Sequence, residues 1–120
     1  MDKKILLVDD AAFMRMLIKD TLTKNGYTNI IEAADGEIAC QMYDSDKPDL
    51  VVMDITMPNK TGIEALAEIK SKNPAAKVIM CSAMGQEAMV VEAIKLGALD
   101  FIVKPFKPDR ILQTVSKILG

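Results

Sequence analysis

Short runs of consecutive apolar residues punctuate the chain: ILLV at 5–8, NIIEA at 29–33, LVVM at 50–53, VIMC at 78–81 and FIV at 101–103. Bounded by Asp, Asn, Pro and Gly, runs of this length predict five strands. Between them the apolar period changes to that of a helix. Met14, Leu17, Ile18, Thr21 and Leu22 form one stripe, and Gly26 supplies a stop. The same spacing predicts helices over about 36–46, 61–72, 86–96 and 108–119. The last opens with Pro108 and Asp109, both favoured in a first turn, and carries Ile111, Leu112, Val115, Ile118 and Leu119 on one face. The result is five βα units filling residues 1–120 as one domain. Strands that are apolar almost throughout need cover on both faces, and helical crossovers between them favour a parallel sheet. A doubly wound α/β fold follows, with ligands expected beyond the carboxyl ends of the strands.

Composition narrows the setting. Lys and Arg number 15 against 17 Asp and Glu, a net charge of -2 with no long run of either sign. This balance argues against a nucleic-acid or anionic-membrane surface as the main business of the chain. No apolar run approaches the ~20 residues of a membrane span, and no signal-type start is present. Cys40 and Cys81 are isolated in apolar surroundings and read as reduced, buried thiols of a cytosolic protein. The chain has no histidine, which excludes a Ser-His-Asp triad and any imidazole metal ligand.

Acids stand where strands end. LLVDD delivers Asp9 and Asp10, and VVMD delivers Asp54. Taken singly, Asp10 could cap the first helix and Asp54 could open a turn. Three clustered carboxylates, however, repel unless a cation compensates them. Oxygen ligands alone select a hard cation, and Mg²⁺ typically takes one or two carboxylates. Two other strand ends bring Ser82 and Lys104. Three acids, a hydroxyl and an ammonium suggest phosphoryl transfer onto a carboxylate, with Lys104 neutralising oxygens and Ser82 bonding one of them. The bland alternatives are that Ser82 caps a helix and Lys104 is a solvated charge. Neither GxxxxGK[ST] nor GxGxxG is present, so the phosphoryl group would come from another molecule.

VDD at 8–10, MDITMP at 53–58, CSAMG at 81–85 and FIVKPF at 101–106, in this order and spacing, resemble the receiver domains of two-component response regulators, in particular the single-domain chemotaxis type. The resemblance covers essentially the whole chain. It implies a flavodoxin-like (βα)₅ fold with strand order 2-1-3-4-5. Asp54 matches the phospho-accepting aspartate, and Asp9 and Asp10 match the acidic pair that holds Mg²⁺ with Asp54 and the backbone carbonyl of Thr56. Lys104 matches the phosphate-binding lysine, and its bond to Pro105 a cis bond. Ser82 matches the switch hydroxyl. Phe101 matches the aromatic switch position, where many relatives have Tyr; Phe keeps the ring but loses the hydroxyl.

The output implied is a surface. Val90 and Ile94 with Phe101 match the partner-binding face, and the fourth helix carries Met89, Val90, Val91, Ala93, Ile94 and Leu96, a wider apolar arc than one sheet face requires. Met16, opposite the stripe of the first helix with Phe13 at its edge, is a candidate docking point for a kinase or phosphatase. The partners implied are a chemotaxis sensor histidine kinase, a flagellar or archaellar switch component and a dedicated phosphatase, acting on a cytoplasmic monomer that catalyses only its own phosphotransfer and dephosphorylation. Two alternatives stand beside this: a receiver cut from a larger regulator such as a DNA-binding one, and an aspartyl-phosphate phosphatase of the haloacid dehalogenase type. The start at Met1 and the end of the last helix at Gly120 favour the free-standing form. Thr56 stands where the second acid of a D-x-D phosphatase motif belongs.

Overall fold

The structure, a computed structural model, describes residues 3–120; Met1, read above as a start, lies outside them. Its elements alternate as β1 (Ile5–Val8), α1 (Ala12–Lys24), β2 (Ile30–Ala33), α2 (Gly36–Asp46), β3 (Leu50–Asp54), α3 (Gly62–Lys72), β4 (Val78–Ser82), α4 (Glu87–Lys95), β5 (Asp100–Val103) and α5 (Pro108–Leu119). The strands form one parallel sheet in the order β2-β1-β3-β4-β5, the flavodoxin-like topology that the sequence resemblance implies.

Alternation within the strands divides the core in two. Leu6, Val8, Val51, Met53, Val78 and Met80 face α2, α3 and α4, whereas Ile5, Leu7, Leu50, Val52, Ile79 and Ile102 face α1 and α5. Successive side chains of a strand point to opposite faces, so an apolar run buries both. Cys40 lies in the first cluster and Cys81 in the second, both as free thiols on opposite sides of the sheet. Burial pushes each up to about 12, which leaves them protonated and unreactive at neutral pH.

Helix ends follow local chemistry. Asp35 caps α2 by accepting from the Ile38 N–H, and Thr61 and Glu64 form a reciprocal capping box on α3. Pro108 starts α5, and Gly26 takes the positive φ of 95° that follows α1. α1 differs from its predicted stripe at one position. Ile18 and Leu22 are buried, but Leu17 is 46% exposed and joins Met16 at 57% and Phe13 at 65% on the outer face. The physical reason is an unfilled groove of about 450 Å³ between α1 and the start of α5, lined by Leu17 with Met14, Phe106 and Pro108, which leaves Leu17 open to water. Among the described residues no helix is long and apolar enough to cross a membrane.

At the β5 edge, the Phe101 N–H donates to Asp100 Oδ1 at 2.8 Å and its carbonyl accepts from Arg110 Nη2 at 3.0 Å.

Candidate phosphoryl-acceptor site

The chain runs from β1 to β2 on one side and returns to β3 on the other, so a crevice opens beyond the carboxyl ends of β1 and β3. Val8 pairs in register with Met53, which brings Asp9 and Asp54 side by side. One carboxylate oxygen from each of Asp9, Asp10 and Asp54 lies within 4.8 Å of the others. The strand-end acids predicted from sequence therefore converge. Asp9 is buried, Asp54 half-buried and Asp10 exposed. Asp9 Oδ1 accepts from the Ala11 N–H at 2.9 Å; the residue that caps α1 is Ala11, and Asp10 does not cap it.

Lys104 arrives from β5 and spans the acids. Its Nζ lies 2.8 Å from Asp9 Oδ2 and 3.3 Å from Asp54 Oδ2. Lys104 is therefore a fixed counterion, not a solvated charge. Burial raises the affinity of the Asp54 carboxyl for its proton, the Lys104 charge opposes that, and the Asp9 charge adds to it; the net shift is upward. For Lys104 burial pulls the other way, but its hydrogen bond to Asp9 and the two negative charges outweigh it, and the ammonium is held above its ordinary range. The Lys104–Pro105 bond is cis, as the resemblance implies.

Ser82 is buried as the last residue of β4, one step beyond the Cys81 that pairs with Asp54, and its carbonyl accepts from the Lys104 N–H at 2.7 Å. It does not cap α4, which begins after Gln86. Thr56 is exposed in the loop after β3, and its hydroxyl accepts from Gln86 Nε2 at 2.7 Å. Phe101 and Val90 are half-buried and Ile94 is exposed; with Ser82 they line an apolar groove of about 580 Å³ between α4 and β5.

The acids fit a hard divalent cation. Three oxygen donors within 4.8 Å of one another can meet around an ion that binds at about 2.0–2.1 Å, and no softer ligand stands among them.

Three supporting residues were missed from sequence. Arg15 bonds the Asp9 carbonyl and, through Nε at 2.9 Å, Glu32, so it ties the acidic pair to β2. Asn59, at φ 68°, donates to Asp35 at 2.8 Å and fixes the loop after β3. Gln86 joins two loops. Its position offered a signal: the residue before a helix is usually Ser, Thr, Asp or Asn, and Gln there marks a side chain used elsewhere.

A fold of this topology with an acid crevice and a lysine across it defines a class, and comparison with known proteins agrees. The model of the response regulator receiver domain matches residues 5–116, and the chain belongs to that family. It is similar to the chemotaxis protein CheY of Thermotoga maritima, 57% identical over 98% of each chain, and to that of Bacillus subtilis, 57% identical over the full length of both. Among solved structures it resembles NtrX from Brucella abortus, with a TM-score of 0.92 and 36% identity over 99% of this chain but 27% of that one.

Proposed function

We propose that this protein is a phosphorylation-activated switch of a chemotaxis two-component system, with Asp54 as its phospho-acceptor. The observation that carries the reading is the Lys104 ammonium held between Asp9 and Asp54 at the switch point of the sheet. An Asp54 carboxylate oxygen attacks the phosphorus of a phosphohistidine on a sensor kinase. The new P–O bond forms as the P–N bond breaks, and the imidazole nitrogen leaves with the bonding pair and is reprotonated from solvent. Asp9, Asp10 and Asp54 would hold Mg²⁺ with the Thr56 carbonyl; when bound, the cation shields the charge of the phosphoryl oxygens. Lys104 takes a further oxygen, and Ser82 is the hydroxyl drawn toward the new group.

The phosphoryl group adds about one negative charge and strong acceptors, which bias the segment after Ser82 between two arrangements. The groove lined by Val90, Ile94 and Phe101 is then the surface that a flagellar or archaellar switch component reads. Phe13 and Met16 on α1 form a second face, for the kinase or a dedicated phosphatase. The protein acts as a cytoplasmic monomer, without nucleic acid, and catalyses only its own phosphotransfer and dephosphorylation. Identity of 57% to chemotaxis proteins supports the chemotaxis reading.

Incubation with a small phosphodonor and Mg²⁺ is expected to yield a hydroxylamine-labile acyl phosphate that Asp54→Asn abolishes. Acyl phosphate forming on the Asp54→Asn variant at the wild-type rate would refute the assignment.

A further inference from the structure

Gln86 immediately precedes α4 without capping it. Its amide turns back over the site instead: Oε1 accepts from the Ala83 N–H at 2.6 Å and Nε2 donates to Thr56 Oγ1 at 2.7 Å. One end thus holds the residue after Ser82, and the other holds the residue two beyond Asp54. The β4–α4 loop and the β3–α3 loop are clipped together by a single side chain at the mouth of the acid crevice.

Neither of the bonded loop groups is fixed by the sheet. Ala83, Met84 and Gly85 are exposed, and Gly85 turns at φ 89°. α4 beyond them buries only Ala93 fully, so little else anchors this loop. Any displacement of Ser82 toward a group on Asp54 drags Ala83 with it and pulls the Ala83 N–H from its acceptor. An interaction made in one arrangement and lost in the other weights the equilibrium between them. We infer that Gln86 is a positioning residue: its amide latches the resting arrangement of the Ser82 loop and sets how strongly a phosphoryl group must pull to switch it. The inference rests on Asp54 being the acceptor, and it adds the element that opposes the acceptor's effect.

Side-chain length separates this role from helix initiation. Asn at position 86 would cap α4 better than Gln but is one methylene too short to span both partners. Gln86→Met keeps the length and loses both hydrogen bonds. With Mg²⁺ present, beryllofluoride binding followed by ¹⁹F NMR is expected to tighten about three- to tenfold in both variants, the effect of one or two net hydrogen bonds. Mg²⁺ affinity without beryllofluoride is expected to stay within about twofold, since latch removal leaves the acids in place. Thr56→Val keeps its main-chain carbonyl and should shift binding the same way, with Gln86→Met adding no more than part of its effect on that background. In the metal-free protein, the Ala83 amide should lose hydrogen-exchange protection in Gln86→Met.

Wild-type beryllofluoride affinity in both Gln86→Met and Gln86→Asn, or unchanged Ala83 protection, overturns the latch while leaving the acceptor site standing. Beryllofluoride binding equally well to Asp54→Asn overturns the acceptor reading and the latch with it.

Discussion

α3 and α4 follow neighbouring strands and cover the same face of the sheet, yet they are held in opposite ways. α3 begins with a complete capping box and buries Gly62, Ala65, Leu66 and Ile69. α4 has no side-chain cap, is two residues shorter, fully buries only Ala93, and turns Met89, Val91 and Ile94 to solvent. The close fit of α3 extends to the site itself. The Gly62 N–H donates to the Ile55 carbonyl at 2.7 Å, and a Cβ on Gly62 would run into the Asp54 carbonyl oxygen. Asp54 ends the strand that leads into the well-anchored helix, and Ser82 ends the strand that leads into the weakly anchored one. Local stability differs along a chain in this way when apolar contacts and caps are unevenly distributed, and the elements that move come from the low end.

The contrast can be broken most directly at two isoleucines. Ile69→Ala in α3 is expected to cost about 2–5 kcal/mol in denaturant unfolding, whereas Ile94→Ala in α4 should stay within about 0.5 kcal/mol. Equal losses would end the comparison. Gly62→Ala comes next, at about 1–3 kcal/mol, because the obstacle is backbone that cannot swing aside. Removing the cap by Thr61→Ala should cost about 1 kcal/mol at the helix start, whereas Gln86→Ala should cost about 0.5–1 kcal/mol through its two inter-loop hydrogen bonds, with no helix-capping bond lost. The smallest expected effect concerns the acid that α3 supports. The Asp54 carboxyl is raised in the folded chain, so its stabilising protonated form persists below the ordinary carboxylate range and is lost as pH rises through the raised value. Asp54→Asn should therefore be more stable than wild type at pH 7 in metal-free buffer, the advantage shrinking as pH falls toward about 4. An advantage that grows on acidification would contradict the direction of the shift.

Both helices were legible beforehand, predicted over about 61–72 and 86–96 and found at Gly62–Lys72 and Glu87–Lys95. Apolar runs placed all five strands within a residue or so, because parallel strands covered on both faces leave little ambiguity. Asp9, Asp10, Asp54, Ser82 and Lys104 could be picked out because each closes a strand, and strand ends in such a sheet share one edge. Leu17 was misplaced because a helical wheel gives direction but not the breadth of what covers it. The Gln86 bridge and the Arg15 link escaped because their partners, Thr56 and Glu32, stand far away in sequence. Long-range polar pairing has no period to betray it.

The backbone of Phe101 carries a consequence for assembly. β5 is a sheet edge, and an edge strand with free amides and carbonyls is a template on which another chain can add a strand. Here Asp100 occupies the outward N–H and Arg110 the outward carbonyl of the same residue, and Pro105 follows two residues after the strand ends. The main chain of Phe101 therefore offers neither a free N–H nor a free carbonyl to a strand added at that position.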